Sequence, residues 1–323
     1  MLESIAEKYL GDIVCNDGKN GKNIKARTGK LMGVTSDIKN ILKELCLGQY
    51  EFSTAMILRE SMFLSRMLLN AETWHELNKT NIEELESSDR NLIKRILEVP
   101  DSTPDEALYL EFGIVPVRFL IQAKRIIFLH YILNRPEEEM MLKVLKAQQN
   151  KPLKGDWYST VCNDIKEFEL TYTIDEIKNM NEKEIKRKIK EAMKKVAFKF
   201  LNEEKGRKSK IQNLKYSELK IQNYFITNKI KSKTKITIFK TRTRMLNVSN
   251  NFGQKIHCPL CKMGKDDQNH LLECIILKLT CPQILNNTDI EYTDIFSDKL
   301  ELQNEVGKLL EVALRKRTEI LNA

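Results

Sequence analysis

No unbroken apolar run in this 323-residue chain approaches the length that spans a bilayer. The opening residues, Met1-Leu-Glu-Ser-Ile-Ala-Glu-Lys8, lack the basic-then-apolar layout of a secretory signal. The expected compartment is therefore the nucleus or the cytoplasm. Seven cysteines, an odd number without a secretory signal, argue against a disulfide framework. There is no Gly-rich phosphate loop, no Walker lysine and no Ser nucleophile elbow. His75, beside Trp74, and His130, within an apolar stretch, have no evident Ser or Cys partner and read as structural. No repeat of fixed period appears. Catalysis by a familiar nucleophile or phosphate-loop chemistry is thus not indicated.

What is present is a core and a charge imbalance. The hydrophobic fraction of 41% supports a packed interior, and 31% of residues are charged. The net charge of +9 is uneven. Between Glu176 and Arg244 there are 22 Lys or Arg against 7 Asp or Glu, a local +15 that leaves −6 for the rest. A basic middle between acidic flanks fits a localised phosphate footprint, and equally a solvated Lys-rich helix face.

Periodicity is helical along most of the length. Residues 7–14 read as a short strand running into a turn at Asn16-Asp17-Gly18, with no obvious partner strand. Apolar positions then recur near 3.6 residues over 23–45, 52–70 and 81–98. Thr103-Pro104-Asp105-Glu106 reads as a capping box opening a short helix that Gly113 ends. Pro116 and Pro136 open two more, and Lys151-Pro-Leu-Lys-Gly-Asp156 is a turn-rich break that suggests a domain boundary. Short helices are expected at 157–168 and 174–180. A long one follows, capped by Asn181, ended by Gly206, with a stripe of Ile185, Ile189, Met193, Val196 and Phe200. Residues 216–245 are basic with interleaved Tyr216, Tyr224, Phe225 and Phe239, and 298–321 reads as a final amphipathic helix.

The sharpest motif lies between these last two. Cys258-x2-Cys261 and His270-x3-Cys274 offer three thiols and an imidazole in two close pairs, enough to close a tetrahedral Zn²⁺ site. His270 and Cys274 are four apart, so one helical turn sets both on the same side. His257 and Cys281 are alternative ligands, and Asp266-Asp267 falls in the loop between the pairs. Three thiolates and Zn²⁺ carry a formal −1, so any attraction for phosphate must come from Lys255, Lys262 and Lys265, or from Lys240, Arg242 and Arg244 just upstream. Cys15, Cys46 and Cys162 stand apart and read as small buried hydrophobes.

Three landmarks occur in order: Lys8-Tyr9-Leu10-Gly11, an all-helical stretch, and the Cys258/Cys261/His270/Cys274 cluster. In this the chain resembles the C-terminal portion of LINE-like (non-long-terminal-repeat) retrotransposon reverse transcriptases. Asn70-Ala-Glu-Thr-Trp74, Ala107-Leu-Tyr-Leu-Glu111 and Lys154-Gly-Asp-Trp157 look like that family in detail. The resemblance covers about residues 5–280 and implies a mainly α fold: a helical thumb-like bundle, a short N-terminal β-strand or hairpin, and a small C-terminal zinc knuckle. It implies an end-of-palm remnant at 1–21, a thumb-like domain at 22–150, a basic helical segment at 151–245 and a Cys-Cys-His-Cys knuckle at 246–285; the apolar pattern adds a C-terminal amphipathic helix at 286–323. The family's Tyr-x-Asp-Asp turn, which holds two Mg²⁺ ions, is missing, and the His270–Cys274 gap is one residue shorter than in many family knuckles.

The resulting expectation is a protein that grips RNA or DNA without catalytic residues of its own. Arg118, Lys124 and Arg125 are the thumb-like candidates for backbone contacts. Lys186, Arg187, Lys190, Lys194, Lys240, Arg242 and Arg244 are the basic-segment candidates, and Zn²⁺ is the expected cofactor. Two alternatives stay open. One is a segment of an active polymerase with its catalytic part upstream or supplied separately. The other is a zinc-stapled helical interaction scaffold with no nucleic-acid role.

Overall fold

The computed structural model describes residues 6–9, 12–15, 18–45, 52–254, 256–287 and 290–322. It is predominantly helical. Two short strands, β1 (Ala6–Tyr9) and β2 (Asp12–Cys15), pair antiparallel with Lys8 opposite Ile13. The single strand expected over 7–14 is thus two strands folded on each other. Leu10, Gly11, Asn16, Asp17, Cys46 and Lys255, all named above, lie outside the described residues.

The helices follow in chain order. α1 is Gly21–Leu45, and α2 (Phe52–Leu58) continues through a π-helical turn, Arg59–Leu64, into α3 (Ser65–Met67). Next come α4 (Lys79–Leu97), α5 (Asp105–Phe112), α6 (Val117–Leu133), α7 (Met140–Asn150), α8 (Trp157–Glu167) and α9 (Ile174–Asn179). α10 (Glu182–Gly206), α11 (Asn223–Ile226) and α12 (Ser232–Arg242) carry the basic segment. α13 (His270–Glu273), α14 (Ile275–Thr280) and α15 (Pro282–Leu285) are single turns or little more, and α16 (Leu300–Leu321) is long.

Local chemistry explains most boundaries. α10 starts where the Asn181 side chain accepts the Glu184 N–H at 2.8 Å, and it buries Ile185, Ile189, Met193, Ala197 and Leu201 on one face. α9 has a full capping box from Thr173 and Glu176 that the sequence reading passed over. The box expected at Thr103 does not form: its hydroxyl donates to the Pro100 carbonyl at 2.7 Å, and α5 begins only at Asp105. α7 begins at Met140 rather than Pro136, because Glu137 and Glu138 are turn residues.

Two compact units result. One comprises Met1–Ile41, Met56–Leu92 and Ile114–Leu201; the other comprises Leu42–Ala55, Ile93–Gly113 and Asn202–Ala323. The Lys151–Asp156 turn therefore lies inside the first unit rather than at its edge. The reason is that α8 returns to α6, where Arg125 grips Asp164 through two bonds of 2.6 and 2.8 Å. In the same unit Arg59 grips Asp89 in the same bidentate way, and Phe119 packs between Phe168 and Phe200.

The second unit has an aromatic centre. Phe225 stacks on Phe112 at 4.3 Å and meets Phe52 edge-on at 4.8 Å, with Phe239 alongside. Tyr224, Phe225 and Phe239 are no more than 1% exposed, so the aromatics of the basic segment are core and not surface platforms. Beside them Glu111, wholly buried, receives the hydroxyls of Tyr216 and Tyr224 and the guanidinium of Arg242.

Candidate metal centre and cationic surfaces

Cys258, Cys261, His270 and Cys274 converge in the second unit. One donor atom from each lies within 4.8 Å of the others. The Sγ atoms of Cys258 and Cys274 are 3.9 Å apart, and Cys261 Sγ is 3.2 Å from His270 Nε2. Bonds of roughly 2.3 Å to sulfur and 2.0 Å to nitrogen in a tetrahedron require ligand separations of about 3.5–3.8 Å. The four groups fit a divalent ion of that kind. Among the described residues neither His257 nor Cys281 joins the cluster.

The loop is shaped to deliver these ligands. The Cys258 N–H donates to the Gly264 carbonyl at 2.7 Å and the Lys262 N–H to the Cys258 carbonyl at 2.9 Å, folding the first pair back on itself. Asp267 accepts the His270 N–H at 3.0 Å where α13 begins, and that one turn places Cys274 beneath His270. Backbone donors, first that of Gly264, hold the Cys261 thiol down to about 6, whereas burial pushes Cys274 up to about 11. Cys258 and Cys274 are buried and Cys261 and His270 half-buried, and four such ligands would fill a tetrahedral ion's coordination, leaving no position for a substrate.

Gly264 permits this packing. A Cβ there would lie 2.3 Å from His270 Cε1. Gly264→Ala should therefore displace the imidazole and weaken metal affinity at least tenfold, in the range seen when a ligand's orientation is disturbed; competition with a chromophoric chelator reads it directly. Unchanged affinity would show that the ring has freedom the geometry denies it.

Asp266, read from the sequence as part of the loop between the ligand pairs, and Gln268, which the sequence did not single out, anchor the module. Asp266 is 1% exposed and takes both guanidinium nitrogens of Arg317 on α16, plus the Ser249 N–H at 2.8 Å. Burial alone would raise its carboxyl, and the bonds from Arg317 and Ser249 outweigh that and hold it below the usual range. Gln268 donates to the Thr241 carbonyl at 2.9 Å and accepts from Asn251 at 3.1 Å. No sequence signature links Asp266 to a residue so far along the chain as Arg317.

The cations named from the sequence divide into three kinds. Arg125 and Arg242 are interior struts, 5% and 6% exposed, with their donors committed to Asp164 and Trp74, and to Glu111 and Ile295. The expectation that they face a phosphate backbone gives way to this burial. Arg118 is half-buried, paired with Glu86 at 2.8 Å and stacked on Phe200.

Lys186 and Arg187 are exposed on α10 and pair with Glu182 and Glu191 one turn away. Lys190, Lys194 and Arg244 are exposed, and Lys240 is partly buried.

The structure brings two of them together. Lys124 of α6 and Lys186 of α10 line one open cavity of about 840 Å³, along with Phe128, Tyr131 and Arg135. Tyr131 is 43% exposed, stacked on Phe128 at 5.8 Å and capped by Arg135 at 3.9 Å. Arg135 and Tyr131 were not singled out from the sequence; Arg135 lies just past the end of α6 and turns back over the Tyr131 ring. No helix among the described residues is long and apolar enough to cross a membrane. No protein-family model, curated protein or solved structure matches the chain.

Proposed function

We propose that this chain binds nucleic acid through a helical body and a zinc-pinned finger, as the thumb and knuckle of a LINE-like reverse transcriptase would, with no polymerase chemistry of its own. The observation that carries the reading is the shared cavity of Lys124, Lys186 and Arg135 beside the exposed Tyr131. Cations with an adjacent aromatic face suit a strand whose phosphates are held by charge and whose bases stack. The carboxylates now beside the lysines, Glu72 and Glu182, form solvent-screened surface pairs, which a phosphate can replace. Zn²⁺, the ion that suits three thiolates and an imidazole, would order the finger and take no part in chemistry.

A scaffold without nucleic acid draws on one observation. Lys186, Arg187, Lys188, Lys195 and Lys199 of α10 all have carboxylate neighbours within the same unit, as on a merely solvated helix. Fluorescence anisotropy with labelled single-stranded and duplex RNA and DNA, across several salt concentrations, separates the readings. Binding should weaken steeply with salt. Lys190→Gln with Lys194→Gln, on the exposed face of α10, should lower the salt slope by about 1 per lysine. Absence of binding to every probe at low salt would leave the scaffold.

A further inference from the structure

A large cavity lies wholly in the second unit. It is about 1080 Å³, just above the roughly 300–1,000 Å³ typical of small-ligand clefts, and residues leading into the finger form part of its wall. Lys233, Thr237 and Lys240 look into it from one face of α12, and Arg317 and Thr318 from α16. The remaining lining comes from Glu98, Val99 and Pro100 and from the stretch 245–254, which includes the 3₁₀ turn Ser249–Phe252.

Three features of this cavity suit a strand of nucleotides. The first is the Lys240 ammonium, partly buried, with no hydrogen-bond partner among the described residues and only Glu98 as a neighbouring acid. Burial holds it below the usual lysine value, and a phosphate beside it would favour the charged form again. The second is Phe252, a ring 45% exposed at the rim, with the Lys210 ammonium 5.5 Å from its centroid. A large apolar ring held in that position by a neighbouring cation has the form of a base-stacking surface. The third is the charge balance: Lys233, Lys240 and Arg317 line the cavity against Glu98 alone, with Lys233 in a surface pair with Glu311 and Arg317 bound to Asp266.

We propose that this cavity holds one or two nucleotides of a single strand, with a backbone phosphate on Lys240 and a base on Phe252. The inference rests on the nucleic-acid reading above and gives it a site in the second unit. It also assigns the finger a task. Ser249, Asn250 and Asn251, which build the rim carrying Phe252, are bonded to Asp266 and Gln268, which stand between the two ligand pairs. The metal then shapes the cavity by fixing the loop that braces it, and need not touch the strand.

The test uses the full zinc-loaded chain and a labelled single-stranded RNA of about 12 nucleotides, within the range one binding module covers. Phe252→Ala and Lys240→Gln should each weaken binding about tenfold. Lys240→Gln should also lower the salt slope by about 1, and Lys240→Arg should restore it. Since a substitution can disturb folding, the unaltered chain is also photocrosslinked to a strand carrying 4-thiouridine, and the attached peptide should fall within residues 246–254. Wild-type binding with both variants unaffected, or crosslinks confined to other segments, would overturn the cavity assignment while leaving the broader reading in place. Failure of the wild-type chain to bind any strand at low salt would overturn that reading, and the cavity assignment with it.

Discussion

Stripping the metal should unfold the finger outright. Between residues 256 and 285 the longest helix is the six residues of α14, and α13 and α15 have four each. Isolated helices shorter than about 12–15 residues are marginal in water, so these turns cannot stand by local propensity. Their apolar contribution is small: Leu271, Leu272, Leu277 and Ile284 are the buried aliphatics of the stretch. A structural zinc site contributes apparent binding free energy of about 10–16 kcal/mol in small modules, which here would stand in for the missing core. Elemental analysis should find one zinc per chain. A chelator, or Cys274→Ser without one, should remove hydrogen-exchange protection across 256–285 while α6 stays protected. Cobalt substitution should give the intense visible bands of a tetrahedral thiolate-rich site. A melting curve and an exchange pattern indifferent to chelation would refute the metal assignment.

The metal cluster was legible in the sequence because its chemistry is local: two pairs, each closed by a turn or one helical step. The same holds for helices set by caps and apolar stripes, as at Asn181 and along α10. Cation roles were legible only in part. Arg242 lies in a run that reads as a phosphate footprint, yet the partner that draws it inside, Glu111, is more than a hundred residues earlier in a segment with no charge pattern of note. Tyr224 and Phe225 look the same in one dimension whether they face a strand or a core. Phe112 and Phe52 decide the matter, and their proximity is a property of the fold. The brace from Asp266 to Arg317 was hidden for the same reason.

This bears on the obvious mutational probe. Changing Arg242 to Ala looks like a test of phosphate binding, and the structure predicts a different result: loss of the second unit's stability by about 3–5 kcal/mol, the cost of leaving a buried carboxylate without its cation. Glu111 is fully enclosed, with Tyr216 Oη and Tyr224 Oη each at 2.7 Å and Arg242 Nε at 2.9 Å. Burial works against the Arg242 charge, and Glu111 more than compensates, so the guanidinium is held more firmly protonated than usual. Burial, then Glu111, holds both phenols well above the usual tyrosine value.

Urea melts should therefore rank Arg242→Ala well below wild type, and Arg242→Met combined with Glu111→Gln closer to it, because the pair then leaves no unmatched charge. The phenols add a pH signature. A phenol whose folded value is raised binds its proton more tightly in the native state, so its contribution is intact below about pH 10 and is lost as pH rises beyond that. Tyr216→Phe should flatten that alkaline decline. Equal stability of Arg242→Ala and wild type would mean that Glu111 takes up a proton or finds solvent on losing its partner. In that case the buried pair would add little to the second unit's stability.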